Sequence, residues 1–233
     1  MHDAERYVER VAAREGVSLG GFVALLDPDA RAALLGLGRV RRYRRGATIV
    51  LQGARDDAVF VVLEGRVKVT LDTPDGREVV LGVLGPGDLL GEWEAIDPEL
   101  VSRAASEVAL EPVECRVFAA DDLRRFLVAY PDAAIQLLRL TIRNFLTADR
   151  RRVDATALDA SHRLAHFLVE RADAQRESEL DIALTQEELA SLVTSSRESV
   201  VRALTALRTR GLIETGRRQI TIRDLEGLRA FAG

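Results

Sequence analysis

Cysteine and histidine are scarce in this sequence, and their scarcity excludes several kinds of site. The 233 residues contain one cysteine, Cys115, so no disulfide can form within the chain, and an iron–sulfur cluster would need several cysteines. Three histidines are present, and none lies between residues 38 and 118. That absence disfavours a haem ligand or a cluster of metal-binding imidazoles in this region. No Ser/His/Asp or Cys/His catalytic set can be assembled, so we expect neither an enzyme nor a metal site.

Long apolar runs are also lacking. No stretch approaches the roughly 18 uncharged apolar residues that a membrane span requires, and residues 1–16 are too charged for a secretory signal. Hydrophobic residues make up 47% of the chain and charged residues 30%, which is typical of a globular protein long enough for two domains. We therefore expect a cytoplasmic protein with no membrane partner.

The segment 184–211 predicts two short helices joined by a tight turn. Thr185 and Glu188 have the spacing of a capping box, in which each side chain binds the other residue's backbone N–H. Ser196 is a suitable N-cap for the second helix. Apolar residues on that helix then recur at helical spacing and predict a buried stripe, formed by Val200, Ala203, Leu204 and Leu207.

The opposite face of the second helix carries Arg197, Glu198, Val201 and Arg202. Arginine can bind guanine through two hydrogen bonds and glutamate can accept one from cytosine, and residues near the start of a recognition helix are those that reach bases. The same spacing also fits two amphipathic helices of any α-rich domain with a solvated charged face.

The residues after the second helix favour DNA binding. The run IETGRRQITI predicts a hairpin with Arg217 and Arg218 at its tip, so that the segment forms a winged helix. Six arginines and two glutamates lie between residues 196 and 218, a net charge of +4, whereas the whole chain carries −4. Positive charge is thus concentrated where DNA phosphates would lie.

Upstream, the pattern changes from helical to alternating. Short β-branched segments punctuated by glycines run from Val40 to Phe118 and predict an antiparallel sandwich or barrel. A long helix from Asp132 to about Leu158 follows, with a hinge near residues 157–161. Its apolar positions would need a partner, and they include Ala134, Leu138, Thr141, Ile142, Phe145, Val153 and Thr156. Further helices are predicted over residues 3–15, 162–171 and 223–233, with a polar loop over 173–181.

The runs LTQEELASLV and SSRESVVRAL resemble the winged helix-turn-helix of the CRP/FNR family of bacterial transcription regulators. The resemblance implies that Arg197, Glu198 and Arg202 read bases and that Thr185 contacts a phosphate. It also implies a homodimer bound to a pseudo-palindromic site in double-stranded DNA, with RNA polymerase as a further partner. The candidate DNA-binding residues are Thr185, Ser195, Ser196, Arg197, Glu198, Val201, Arg202, Arg217 and Arg218. The family usually has glycine in the inter-helix turn, where this chain has Thr194.

The family's architecture implies an α+β fold with an N-terminal antiparallel jelly roll, a long central dimerisation helix and a C-terminal winged helix-turn-helix domain. Residues 1–18 would form a helical extension and residues 19–130 an effector domain of the cyclic-nucleotide-binding type. The dimerisation helix and hinge would occupy residues 131–159, and the DNA-binding domain residues 160–233.

The stretch GEWEAIDPELVSRA, from Gly91 to Ala104, resembles the family's phosphate-binding cassette. Glycine permits close backbone approach, a helix start attracts anions, and arginine can bind a phosphate as a fork. The resemblance implies that Glu92 accepts a ribose hydroxyl and that Arg103 binds the phosphate of a cyclic nucleotide, cAMP or cGMP. Trp93 could occupy part of the cavity. The candidate effector residues are Gly91, Glu92, Trp93, Arg103 and Ala104.

Several interpretations of the effector remain open. Ala104 has no hydroxyl where the family usually has serine or threonine, and the long helix lacks the Thr-Ser pair that contacts adenine in cAMP-responsive members. The effector would be cAMP, another cyclic nucleotide, or none, and in a free cassette Glu92 and Arg103 would pair with each other or with neighbours. A rival hypothesis is a nucleotide-sensing interaction module that does not bind DNA.

Overall fold

The computed structural model describes residues 21–97, 99–175, 179–181, 184–216 and 219–233. The chain divides into two compact units, the first ending at Arg143 and the second running from Asn144 to Gly233. The helix predicted over residues 3–15 lies outside the described residues. Within the described ranges, no helix has the length and apolar composition needed to cross a membrane.

The first unit is built on two four-stranded sheets whose strand pairs are all antiparallel. The sheets have the orders β1-β8-β3-β6 and β2-β7-β4-β5, which confirms the predicted jelly roll. The strands are β1 Arg39–Tyr43, β2 Thr48–Val50, β3 Ala58–Glu64, β4 Val67–Asp72, β5 Glu78–Leu84, β6 Leu89–Leu90, β7 Ser106–Ala109 and β8 Val113–Ala119.

Strand β3 organises the core because its side chains alternate between two apolar clusters, as successive residues of a strand point to opposite faces. Val59, Val61 and Leu63 pack in a cluster that also holds helical residues such as Leu34 and Leu123. Phe60 and Val62 pack in a second cluster, with Val67, Leu90 and Cys115. The helices that precede the long helix in the described part of this unit are α1 Gly21–Ala24, α2 Pro28–Gly36, α3 Glu92–Ile96 and α4 Ala120–Ala129.

The long predicted helix is present as α5, Pro131–Ala157, and it passes from the first unit into the second. Ala133 and Leu137 are buried. Its large exposed apolar side chains fall largely at spacings of three and four, typical of a helix that packs against a partner helix. They are Ile135, Leu138, Ile142, Phe145, Leu146 and Val153, each between 48% and 62% exposed.

The described residues of the second unit form four helices after α5 and a three-stranded antiparallel sheet of order β10-β11-β9. Its elements are α6 Ala160–Gln175, β9 Glu179–Asp181, α7 Gln186–Leu192, α8 Arg197–Thr209, β10 Ile213–Gly216, β11 Gln219–Ile222 and α9 Leu225–Ala232. Leu158 and Asp159 separate α5 from α6, where the hinge was predicted. The helices, the turn between α7 and α8 and the hairpin form the predicted winged helix-turn-helix.

The predicted polar loop over residues 173–181 is wrong at both ends. Helix α6 continues to Gln175, and Glu179–Asp181 forms β9, which pairs with β11 in a register that places Leu180 opposite Ile220. A third strand of this kind depends on a partner about 40 residues away in the sequence. Local composition could not reveal it.

Candidate DNA-binding surface and effector pocket

The capping box at the start of α7 is present as the sequence predicts. The Thr185 hydroxyl accepts a hydrogen bond from the Glu188 N–H at 3.2 Å, and the Thr185 N–H donates to Glu188 Oε2 at 2.9 Å. Ser196 caps α8 by accepting from the Ser199 N–H at 3.2 Å. Both helix starts are thus fixed by short-range bonds that leave Thr185 and Ser196 at the surface.

Helix α8 separates apolar from charged residues by face. Val200, Ala203 and Leu207 are completely buried, while Arg197, Glu198 and Arg202 are exposed and Val201 is 38% exposed. The Arg202 guanidinium donates to the Ser199 hydroxyl at 3.0 Å. The Glu198 carboxylate accepts hydrogen bonds from the Glu198 N–H and from the Ser196 hydroxyl, and these bonds lower the pKa of Glu198. Its carboxylate is therefore ionised at neutral pH and able only to accept hydrogen bonds.

The turn between α7 and α8 contains a strained residue. Thr194 has a φ of +51°, the only positive φ outside glycine among the described residues, and a β-branched side chain disfavours that conformation. The turn is held by the Ser195 N–H, which donates to the Ala190 carbonyl at 2.8 Å. Arg163 on α6 also holds it, donating at 2.9 Å to the carbonyls of both Val193 and Thr194. The helix-turn-helix geometry thus forms without the usual glycine.

Arg163 was not predicted as a functional residue. Besides the turn carbonyls, its guanidinium donates to the Leu158 carbonyl beside the end of α5, so one side chain links the hinge to the helix-turn-helix turn. Nearby, Arg151 on α5 pairs with Glu170 on α6 at 3.2 Å. The basic residues are visible in the sequence, but nothing in their pattern indicates which groups Arg163 and Arg151 contact.

The wing is a hairpin of β10 and β11, in which Gly216 lies opposite Gln219. Below its tip, Arg223 and Glu214 form an ion pair at 2.5 Å between largely exposed side chains. The predicted tip residues Arg217 and Arg218 lie outside the described residues.

In the first unit, the cassette begins with a close backbone approach at Gly91. This glycine has a φ of +72° and precedes the five-residue helix α3. A Cβ at this position would lie 2.3 Å from Arg103 Nη1 and 2.9 Å from the Ala58 carbonyl oxygen. The position therefore requires glycine for both its conformation and its space.

Arg103 is buried, with only 2% of its surface exposed, and each of its terminal nitrogens donates to two acceptors. Nη1 donates to the Gly91 carbonyl at 3.2 Å and to Glu94 Oε2 at 3.1 Å. Nη2 donates to Asp56 Oδ1 and to the Ala58 carbonyl. Burial by itself would lower the pKa of Arg103, but the hydrogen bonds and charges of Asp56 and Glu94 outweigh it and raise that pKa.

Two further carboxyl groups lie near Arg103. Burial, reinforced by the charges of Glu94 and Asp88, raises the pKa of Glu92 to about 7. Burial and the neighbouring charge of Glu92 raise the pKa of Glu107 on β7 to about 8. The Glu107 side chain has one buried oxygen without a hydrogen-bond partner in the part of the chain that the structure describes. Near neutral pH, both groups are thus substantially protonated.

The pocket therefore combines predicted and unpredicted residues. Gly91, Glu92 and Arg103 lie close together, and Arg103 pairs with Asp56 and Glu94 rather than with Glu92. The remaining two candidates, Trp93 and Ala104, are surface residues, and Trp93 is 56% exposed and does not fill the interior. The sequence analysis missed Asp56, Glu94 and Glu107. Glu94 lies within the segment 91–104 that resembles the cassette, but nothing in the sequence indicated that its carboxylate would bind Arg103.

Two family models match separate parts of the chain. A cyclic nucleotide-binding domain matches residues 40–130, and a Crp-like helix-turn-helix domain matches residues 162–231. The first model spans the jelly roll and the pocket, and the second spans the helix-turn-helix and the wing.

Similar proteins extend over nearly the whole chain. A CRP-like cAMP-activated global transcriptional regulator of Mycobacterium tuberculosis is 31% identical over 226 residues, which cover 95% of this chain and 98% of the relative. The cyclic AMP receptor protein of Thermus thermophilus is 31% identical over 82% of this chain and 87% of its own length.

Solved structures show the same fold. FixK2 from Bradyrhizobium japonicum aligns with a TM-score of 0.74 at 21% identity, covering 84% of this chain and 98% of its own. The catabolite activator protein of Thermus thermophilus aligns with a TM-score of 0.52 at 28% identity, covering 91% of this chain and 97% of its own.

Proposed function

Because the chain belongs to the CRP/FNR family of DNA-binding transcription regulators, we propose that it reads a pseudo-palindromic operator as a homodimer under the control of a small anionic effector. Its family and fold are those of regulators and not of enzymes. In this proposal the effector domain comprises residues 19–130, the dimerisation helix and hinge residues 131–159, and the DNA-binding domain residues 160–233.

The exposed face of α8 carries the proposal of sequence reading. Arg197, Glu198 and Arg202 project from the first turns of a capped helix whose other face is buried, which is how a recognition helix presents side chains to the major groove. The exposed hydroxyls of Thr185 and Ser196 lie at two helix starts, where phosphates are favoured. Ser195 and Val201, with Arg217 and Arg218, which the sequence predicts at the hairpin tip, complete the proposed DNA-binding set.

The exposed apolar side chains of α5 support the homodimer. Ile135, Leu138, Ile142 and Phe145 repeat at three- and four-residue spacing, as in helices that pair with a second helix. A two-fold dimer would present two recognition helices to half-sites about one helical turn apart. We extend the proposal to contact with RNA polymerase on the operator and to a cytoplasmic location, because family members act on transcription of bacterial DNA.

The decisive experiment measures binding to an operator selected from random duplexes. Fluorescence anisotropy would compare the wild type with Arg202→Ala at several salt concentrations, and Arg77→Ala, which removes an exposed arginine from a loop of the first unit, is the matched control. Arg202→Ala should lose about 1–3 kcal/mol of operator-binding free energy, roughly 5- to 150-fold in affinity, and should discriminate less between bases at one operator position. The control should bind the operator as the wild type does. The wild type should also lose affinity steeply as salt rises.

Equal operator affinities of Arg202→Ala and the wild type would contradict the proposed reading by α8. A wild type that binds no duplex even at low salt would favour the rival function, an interaction module without DNA binding. Sedimentation of the same samples reports the oligomeric state, and a monomer at the concentrations that bind DNA would contradict the proposed dimer.

For the effector, we propose a cyclic nucleotide, cAMP or cGMP, in the pocket of Gly91, Glu92, Trp93, Arg103 and Ala104. The Mycobacterium tuberculosis relative is named as a cAMP-activated regulator and the Thermus thermophilus relative as a cyclic AMP receptor protein, and here the buried guanidinium of Arg103 supplies the fork that binds a phosphate. Titration calorimetry with each nucleotide should detect binding that Arg103→Lys, which retains the charge and removes the fork, weakens at least about tenfold. A regulator without a small effector is the second candidate, favoured by the internal partners of Arg103.

A further inference from the structure

One carboxylate in the pocket bridges the two donors that a phosphate would use. Glu94 Oε2 accepts from Arg103 Nη1 at 3.1 Å, and Glu94 Oε1 accepts from the Ala104 N–H at 3.0 Å. A guanidinium and the following backbone N–H therefore bind the two oxygens of one anionic group. A phosphate presents the same pair of oxygens, so the Glu94 carboxylate occupies the place of an anion.

The remaining donors of the guanidinium are also engaged. Asp56 and the Ala58 carbonyl accept from Nη2, and the Gly91 carbonyl accepts from Nη1 alongside Glu94. Arg103 Nε is buried and has no partner among the described residues. An incoming anion would thus find no terminal N–H of Arg103 without an acceptor and would have to displace one.

Of these acceptors, Glu94 is the one suited to displacement. The two carbonyls belong to the backbone of Gly91, the first residue of the cassette, and of Ala58, the first residue of β3, and they cannot leave without moving that backbone. Glu94 lies on the short helix α3 and reaches its two donors through a flexible side chain that is 11% exposed. Asp56, 46% exposed, accepts from Arg103 Nη2 and from the Ala58 N–H, and it makes no contact with Ala104 among the contacts described.

We propose that Glu94 is a specificity-determining residue. Its carboxylate occupies the position that the phosphate of an anionic effector would take, here called the phosphate seat, and competes with that effector for Arg103 and the Ala104 N–H. This inference rests on the proposed effector function of the same pocket. An effector would bind by exchange, with the Glu94 carboxylate leaving as the phosphate enters. Its apparent affinity would be reduced by the fraction of molecules in which Glu94 already occupies the seat.

The test is calorimetric titration of the full-length protein with cAMP and with cGMP. The variants are Glu94→Ala, which empties the seat, and Glu94→Gln, which is isosteric and removes only the charge. The matched control is Glu99→Ala, which removes the same charge from an exposed position in the same segment. Thermal melting of each variant verifies folding, and Arg103→Lys is added to Glu94→Ala to verify that any gain depends on the fork.

If Glu94 competes for the seat, Glu94→Ala should lower the dissociation constant of at least one nucleotide tenfold or more, Glu94→Gln by a smaller factor, and Glu99→Ala not at all. The gain should disappear in Glu94→Ala/Arg103→Lys. Unchanged dissociation constants in Glu94→Ala, beside a wild type that binds, would overturn the competition and leave the effector function intact. Absence of binding in the wild type and in folded Glu94→Ala and Glu94→Gln alike would overturn both, while the DNA-binding proposal would stand on its own test.

Discussion

Replacing Glu107 with glutamine removes a buried titratable carboxyl group from the jelly roll while keeping the shape of the side chain. Glu107 is 9% exposed, and one of its oxygens is buried with no hydrogen-bond partner among the described residues. Burial and the charge of Glu92 raise its pKa from 4.5 to about 8. The folded protein therefore holds a proton that the unfolded chain releases above pH 4.5 or so.

The direction of the pH effect follows from that difference. The stabilising proton is fully present below about pH 4.5, and its contribution is lost as the pH rises toward about 8. For a single group with these two pKa values, the free energy of unfolding should fall by about 3 kcal/mol between roughly pH 5.5 and pH 8.5. Glu92, whose pKa is raised to about 7 by burial, changes the stability in the same direction. Because the charge of Glu92 also raises the pKa of Glu107, the two groups titrate as a coupled pair.

Urea unfolding at several pH values in this window measures the effect. Glutamine stays neutral, so Glu107→Gln should flatten the pH dependence by up to about 3 kcal/mol, and its stability should exceed that of the wild type most clearly near pH 8.5. Glu99→Gln, the same change at an exposed position, should leave the wild-type profile unaltered. If the wild type is equally stable across the window, or if Glu107→Gln retains the full wild-type slope, the carboxyl is not held protonated in the fold and the reasoning fails.

Two further predictions concern the second unit. Thr194→Gly should raise the free energy of unfolding by about 0.5–1 kcal/mol, because removing the strain of a β-branched residue at φ +51° outweighs the added freedom of glycine in the unfolded chain; a lower melting temperature would contradict the strain. Arg163→Ala should destabilise this unit by about 2–3 kcal/mol, because the carbonyls of Leu158, Val193 and Thr194 lose their charged donor. In chemical unfolding, the stability of Arg163→Lys should lie between those of the wild type and Arg163→Ala. If Arg163→Ala is as stable as the wild type, water replaces the guanidinium and the prediction is wrong.

The DNA-binding half of the molecule was predictable because its determinants are local. The capping box joins residues three positions apart, and the buried stripe of α8 follows from helical spacing alone. The hairpin likewise pairs neighbouring segments. Strand β9 was missed, since its pairing with β11 joins segments separated by two helices and a strand.

The residues of the effector pocket could be predicted only where they lie in one continuous segment of the sequence. Gly91, Glu92 and Arg103 lie within 13 consecutive residues, and their pattern sufficed to place a candidate site. Asp56 precedes β3 and Glu107 lies on β7, so their approach to Arg103 depends on how the sheets pair. A sequence pattern gives the residue types of a cassette, but not which acceptors saturate its arginine in the folded chain.

This saturation changes what an effector must do. When the donors of a site point to solvent, a ligand exchanges water for its own oxygens; here a ligand would exchange one buried carboxylate for another anion on the same donors. The affinity is then a difference between two strong interactions of similar kind. A difference of that sort changes greatly when one residue is replaced, even though the fold does not. Sensitivity to an effector can therefore be gained or lost at Glu94 while the jelly roll, the long helix and the recognition helix keep their structures.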